Sequence, residues 1–212
     1  MEYFDILDCT GEKTGGTIAR DDAHRSGIWH GAFHCLITYQ RNGLPYVLFQ
    51  LRSGVKKIAP GKYDISVGGH YSAGEGPEQA GPREIAEELG LQVRYADLVP
   101  LGRRVFIYCF TPGAREYEFQ DIFLLPVADR PRSLVLQREE VDAVLEVEVG
   151  MGIELFSEQQ SRISCLQLNQ KMEESLVTVS VDDFVPCVDK YYLKMLILAK
   201  RYAAGERKLL II

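Results

Sequence analysis

Alternation of apolar and polar positions marks out most of the first two-thirds of the chain. Residues 3–8 alternate weakly and read as a short strand. The polar, turn-rich stretch 9–28, with Gly15-Gly16 and Asp21-Asp22, reads as a loop or a second small hairpin. His30 to Gln40 is apolar and β-prone, Asn42-Gly43 supplies a tight turn, and Tyr46 to Arg52 gives the returning strand. A basic loop, 53–62, leads to a short strand at 63–67 that enters Gly68-Gly69. Two further strands are expected over 98–111 and 116–127, a helical turn over 137–141, a strand over 144–149 and a short helix over 151–158.

The period changes at residue 77. Pro77 suits the first position of a helix and Gly90 its C-terminal stop, which predicts a helix over 77–89. Within it Ile85 and Leu89 share one face, able to enter the core, whereas Glu84, Glu87 and Glu88 share another. Arg83 and Glu87 form an i, i+4 pair of opposite charge. Gly81-Pro82 interrupts the pattern: proline lacks an N–H and crowds the preceding turn, so the helix is expected to begin late or to bend in its first turn. Beyond residue 159 the chain turns polar. Residues 159–174 read as helix or loop, 176–181 as a strand, and Asp182-Asp183 as the cap of a long amphipathic helix over 183–204, stopped by Gly205. The broad apolar face of that helix (Phe184, Val188, Tyr191, Tyr192, Met195, Leu196) reads as core, with a homodimer interface as its other use. Strands mixed with a few helices, without regular βα alternation, indicate an α/β sandwich with a mixed sheet.

Composition adds exclusions. The chain has 212 residues and a net charge of −6, which argues against a nucleic-acid polymer as partner, because such a surface needs a basic face. Five cysteines without a CxxC pair read as reduced thiols of a cytoplasmic protein and not as a disulfide framework or zinc site. The opening residues Met1 to Asp5 lack the basic and apolar regions of a signal peptide, and no apolar run is long enough to span a membrane.

Three carboxylates on one helix face repel one another, and a hard divalent cation is their natural counterweight; a solvated acidic face is the plain alternative. The surroundings decide between the two. Gly69, Glu75, Arg83, Glu84, Glu87, Glu88 and Gly90 match each defined position of G-x5-E-x7-R-E-U-x-E-E-x-G-U, with Ile85 and Leu91 in the apolar slots. By this motif the chain resembles the Nudix superfamily. The resemblance implies an α/β/α sandwich, a small-molecule diphosphate substrate and hydrolysis with Mg²⁺ or Mn²⁺. It also implies that Glu84, Glu87 and Glu88 are metal ligands, with Glu75 and the Gly68 carbonyl in support, and that Arg83 orients a glutamate.

Outside that motif, residues 3–149 are similar to the isopentenyl-diphosphate isomerase-like branch, notably His24 to His34, Gln50 to Ser53, Lys56, Pro60-Gly61, Asp64 to Ser66 and Gly69-His70. Arg52 and Lys56, together with His70, then stand where a diphosphate is bound. His24, His30 and His70 with Glu116 and Glu118 resemble the isomerase's separate metal site, although the first spacing is off by one; otherwise these histidines cap turns or pack near the pocket. Glu116 and Glu118 share a strand face, and Glu118 is carried as a further ligand or general base. The isomerase has a catalytic cysteine just before its Gly-His, where this chain has Gly68, so hydrolysis is expected in preference to isomerisation. A ligand sensor without catalysis is the remaining alternative, and the intact glutamates weigh against it. Trp29 and Tyr71 are candidates to stack on a base or, alternatively, packing residues. The expected organisation is a Nudix domain over 1–158 and a C-terminal extension over 159–212 packed on it.

Overall fold

The computed structural model describes residues 2–111, 114–131 and 133–208. One large sheet organises them. It contains β3 (His30–Arg41), β4 (Leu44–Arg52), β5 (Tyr63–Asp64), β6 (Val67–His70), β7 (Val99–Thr111), β8 (Ala114–Pro126), β9 (Val141–Glu148), β10 (Ile163–Asn169) and β11 (Glu174–Val179). Its main path runs β11-β10-β9-β4-β3-β8-β7, with β5 on β4 and β6 on β3. The sheet is mixed, since β3 is parallel to β8 and antiparallel to β4 and β6. A separate hairpin, β1 (Tyr3–Leu7) and β2 (Lys13–Ala19), precedes helix α1 (Arg20–Ser26).

Strand β3 is the axis of the site because its edge is shared. Residues 32–35 pair with β6, and residues 37–41 pair with β4. The sheet therefore parts between Cys35 and Ile37, one step past His34, and the loop that follows β4 borders the opening. The turn into β4 places Asn42 and Gly43 at φ 53° and 77°, the left-handed pair that a two-residue hairpin turn needs.

Helices cover both faces. Helix α2 (Pro77–Leu89) drives Ile85 and Leu89 into one core layer with Phe33, Cys35, Ile37 and Phe123. Helices α3 (Val149–Phe156) and α4 (Tyr191–Ala203) pack Leu155, Tyr192, Met195 and Leu196 into the other, against Leu36, Val47, Phe49 and Val147. The result is the expected α/β/α sandwich.

Four local expectations change. Residues 20–26 of the turn-rich stretch form α1, which has acidic Asp21 and Asp22 in its first turn and Gly27 as a left-handed stop. Residues 163–169, read from their polarity as helix or loop, form β10. Its Ile163 and Cys165 enter one core layer and Leu168, on the opposite strand face, enters the other, so the two-faced burial is diluted by the intervening Gln and Asn. The last helix starts at Tyr191 and not at residue 183, because Pro186 disfavours continuous helix, and Asp183 caps only a short turn at 181–183. Helix α2, by contrast, starts on time despite Pro82. Gln79 Oε1 accepts from the Gly76 N–H at 3.2 Å, and the Gly76 carbonyl accepts from Ala80 at 3.0 Å.

Gly81 sits where α2 presses on the sheet: a β-carbon there would lie 2.7 Å from the ring of buried Phe33. Gly81→Ala is therefore expected to destabilise the protein by ~1–3 kcal/mol despite alanine's better helix propensity. Urea unfolding measures it, and an unchanged or raised midpoint would show that the close approach is not needed.

Candidate active site

The opening beside β3 continues into a cleft of about 900 Å³. Its walls come from α1, the loop after β4, the Gly68–His70 segment, the outer face of α2, and the β7–β8 hairpin.

The acidic wall is built around Arg83. Its guanidinium grips Glu75 with two donors at 3.1 and 2.8 Å, and also reaches Glu84 at 2.9 Å, Glu87 at 3.1 Å and the His70 carbonyl at 3.3 Å. Burial alone would lower its pKa, but the bond to Glu75 and the surrounding carboxylate charges outweigh this, and the group is held firmly cationic. Glu75, which Pro82 put in question, is thus fixed against the helix and ionised, its pKa held below the usual range by Arg83 and the Ser72 N–H against the cost of burial.

Glu84 and Glu88 are 8% and 3% exposed. Burial pushes both above the ordinary carboxylate range, and for Glu88 the charge of Glu84 adds to the shift. Glu88 accepts long bonds, each 3.3 Å, from Gln50 Nε2 and the Gly68 N–H. The Glu84 carboxylate lies against Gly69, in the volume a side chain at that position would fill. Glu87 is the exposed member, with a side chain 49% accessible. Arg83 neutralises part of this charge, and two buried carboxylates remain with spare oxygen lone pairs facing the cleft. That donor set fits a hard divalent cation.

A second cluster lies beyond His70. One ligand atom from each of His24, His30, His70 and Glu116 falls within 4.8 Å of all the others. His30 Nδ1 donates to the Ile28 carbonyl at 2.8 Å, which leaves a lone pair on Nε2; that Nε2 and His24 Nε2 are buried without a hydrogen-bond partner. Phe4 stacks on His30 and His70 at 4.8 and 4.9 Å and closes the cluster from outside. Burial, with the neighbouring imidazoles, pushes His24 down to about 3. His70 behaves oppositely: burial disfavours its charge, but bonds to Glu116 and Glu118 prevail and raise it to about 9. Glu116 is pushed up to about 7 by burial and the charge of Glu118. Two orphaned imidazole nitrogens aimed at one point fit a metal ion, so the off-by-one spacing did not prevent convergence.

The other candidates are distributed as follows. Glu118 belongs to this second cluster, accepting from His70 Nε2 at 3.0 Å and Gln120 Nε2 at 2.5 Å. His70 is engaged there as well, and its carbonyl meets Arg83. Arg52 and Lys56 line the same cleft as the α2 glutamates; Arg52 is braced by the Ile58 carbonyl at 2.9 Å, and Lys56 pairs with Glu140. Lys57 is exposed and bonds to Asp21, and the half-buried Lys62 bonds to the Asp182 carbonyl. Trp29 packs on Phe119 at 4.8 Å and Tyr71 donates to Asp121 at 2.9 Å; neither lines the cleft.

Sequence reasoning missed several lining residues. Phe106 and Phe110 form an aromatic wall, and their even-numbered spacing on β7 was the available signal. His34 lies on the same strand face as His30, two alternations along, and its pKa is driven down to about 4 chiefly by burial. Cys187 and Tyr192 reach the cleft from the C-terminal segment.

Comparison with known proteins agrees with this architecture. The NUDIX domain model matches residues 29–161, and the chain belongs to the Nudix family. It is 32% identical over 149 residues to an uncharacterised Nudix hydrolase of Clostridium acetobutylicum, covering 70% of each chain. It is 29% identical over 177 residues to an isopentenyl-diphosphate Delta-isomerase of Corynebacterium diphtheriae, covering 78% of this chain and 90% of that one. Among solved structures, a protein of Deinococcus radiodurans superposes with a TM-score of 0.56 at 21% identity, over 75% of this chain and 91% of that one, and shares the fold. The protein is a Nudix pyrophosphohydrolase, an enzyme that cleaves diphosphate linkages, and Nudix enzymes generally use a divalent metal.

A proton balance tests the histidine cluster. With its pKa near 9, His70 is protonated at pH 7 in the metal-free protein. A ligand imidazole must be neutral, so metal uptake is expected to release protons, and affinity to rise as pH approaches 9. Calorimetric titration with Mn²⁺ in buffers of different ionisation enthalpy measures this, and metal uptake without proton release would contradict it.

Proposed function

We propose that this enzyme hydrolyses a diphosphate linkage of a nucleoside di- or triphosphate or related nucleotide, with Mg²⁺ or Mn²⁺, and releases a monophosphate. The observation that carries the reading is the pair Glu84 and Glu88, buried at the wall of a cleft that Gly68 and the cations Arg52 and Lys56 also line. Glu84, Glu87 and Glu88 would hold the ion, with the Gly68 carbonyl and Glu75 in support. A cation held there supplies Lewis acidity toward phosphoryl oxygens.

The chain's own groups do the rest. Arg83 fixes three glutamates in place, and with the Ser72 N–H it holds the Glu75 pKa below the usual carboxylate range. Arg52 and Lys56 offer donors to a diphosphate, braced so that little rearrangement is needed. Glu118, held by two donors inside the histidine cluster, suits a ligand better than a free base. The histidine cluster would hold a second ion, in line with the likeness to the isomerase branch. Phe106 and Phe110 are joined through Tyr108 by ring contacts of 6.1 Å (stacked) and 4.3 Å (tilted), and such an aromatic wall supports a nucleotide base as the group beside the diphosphate. Isoprenyl diphosphates remain the second substrate class.

Isomerisation would need a thiol where Gly68 stands, and a sensor would not need the full carboxylate set. The histidine cluster and the isomerase likeness are the observations on the isomerase side, and Gly68 in place of the thiol outweighs them. No helix among the described residues is long and apolar enough to cross a membrane, and we read the protein as cytoplasmic. We also read 1–158 as the Nudix domain and 159–212 as an extension packed on it. The apolar face of α4 is buried in the chain's own core, which leaves a homodimer to other surfaces.

The test is phosphate and monophosphate release from nucleoside di- and triphosphates, dinucleotides, nucleotide sugars, coenzyme A and isoprenyl diphosphates. Wild type should turn over at least one nucleotide in a metal-dependent way, and Glu87→Gln should lower kcat by ~10²–10³-fold. Metal-dependent binding without turnover of any compound would overturn the hydrolytic reading.

A further inference from the structure

His34 takes no part in either carboxylate cluster and occupies no motif position. It stands on β3 directly opposite Gly68 in the pairing with β6, and it borders the cleft. Its Nε2 lies 3.4 Å from the point a β-carbon on Gly68 would occupy, and it has no hydrogen-bond partner among the described residues. Its other ring nitrogen, Nδ1, is 3.1 Å from the hydroxyl of Tyr191, the first residue of α4.

That second contact fixes where the ring's proton sits. Tyr191 is 1% exposed, and a buried phenol must place its hydrogen on an acceptor. Among the described residues, its one hydrogen-bond partner is His34 Nδ1. Arg104, whose guanidinium lies 4.0 Å over the tyrosine ring, can only donate, and it is held in place by Asp189 at 2.9 and 2.8 Å. The phenol therefore donates to Nδ1. The ring is then neutral, and its proton is on Nε2, on the cleft side.

Gly68 makes that proton usable. Its missing side chain leaves the approach to Nε2 clear, and its N–H is directed to Glu88 at 3.3 Å. A neutral donor and a buried carboxylate thus flank the same backbone position. A neutral donor suits an anionic phosphoryl oxygen at this point, because it adds a hydrogen bond without adding a charge to compete with a bound cation.

We propose that His34 is a substrate-contacting residue whose Nε2–H donates to an oxygen of the bound diphosphate, and that Tyr191 is the positioning residue that sets its tautomer. The inference rests on the diphosphate reading of the cleft. It also brings α4, which lies beyond the matched Nudix residues 29–161, into the chemistry of the site.

Two measurements on the full chain test it. Long-range ¹H–¹⁵N correlation spectra of histidine-labelled protein at neutral pH should show His34 with its proton on Nε2. Inorganic pyrophosphate with Mg²⁺ should move that proton downfield, and Tyr191→Phe should shift the population toward the Nδ1–H form. Where a diphosphate is turned over, His34→Leu should lower kcat/KM by ~10–100-fold, whereas His34→Gln, which keeps an N–H donor, should stay within ~5-fold of wild type. A wild-type ring protonated on Nδ1, or His34→Leu with wild-type kcat/KM, would overturn the proposal. A pyrophosphate-responsive Nε2–H in a protein that hydrolyses nothing would sustain the His34 contact and refute the hydrolytic reading, so the two fail separately.

Discussion

The site depends on one guanidinium. Glu75, Glu84, Glu87 and Glu88 would repel one another if gathered at a cleft wall without compensation, and Glu84 and Glu88 are also buried. Arg83 bonds to three of the four and to the His70 backbone, so one cation ties the loop before α2, the helix itself and the Gly68–His70 strand into a single unit. Its planar fork can hold Glu75 with two parallel bonds and still reach two further carboxylates, which a lysine ammonium would not do. The compensation is deliberately incomplete in chemical terms: one positive charge against four carboxylates leaves a strong preference for a divalent ion.

The sheet supplies the second constraint. Because the edge of β3 is divided between β6 and β4, the sheet parts just past Cys35, and the strand face that carries His30, Ala32 and His34 runs up to that division. His30 faces the buried cluster closed by Phe4, and His34 faces the cleft beside Gly68. Two glycines make this compact arrangement fit. Gly69 leaves room for the Glu84 carboxylate, and Gly81 lets α2 descend onto Phe33. Both substitutions by a larger residue would push the helix or its carboxylates away from the strand.

Much of this was legible in the chain. The glutamate spacing on α2, the Arg83–Glu87 pair, the Asn42-Gly43 hairpin and the mixed-sheet class follow from local periodicity and turn chemistry, which tertiary packing reinforced. What was not legible depended on contacts far apart in sequence. The residues His24, His30, His70 and Glu116 were singled out only by resemblance to the isomerase branch; their convergence requires α1, β3, β6 and β8 to meet, which local periodicity does not report. Strand β10 was obscured because polar residues are interspersed along it, and because its buried residues are divided between two core layers, Ile163 and Cys165 in one and Leu168 in the other. The pairing of His34 with Tyr191 spans 157 residues, so the tautomer it imposes has no sequence signature at all.

The central claim is that the buried glutamates of α2 exist to hold a divalent cation against a diphosphate. Crystals grown with Mn²⁺ and a non-hydrolysable nucleotide analogue would test it through anomalous scattering. The account predicts an anomalous peak within ligand distance of Glu84 and Glu88, with an analogue phosphate oxygen completing the coordination and Arg52 and Lys56 donating to the analogue's phosphates. Manganese confined to the histidine cluster, with the α2 glutamates still bound only to Arg83, Gln50 and the Gly68 N–H, would contradict it.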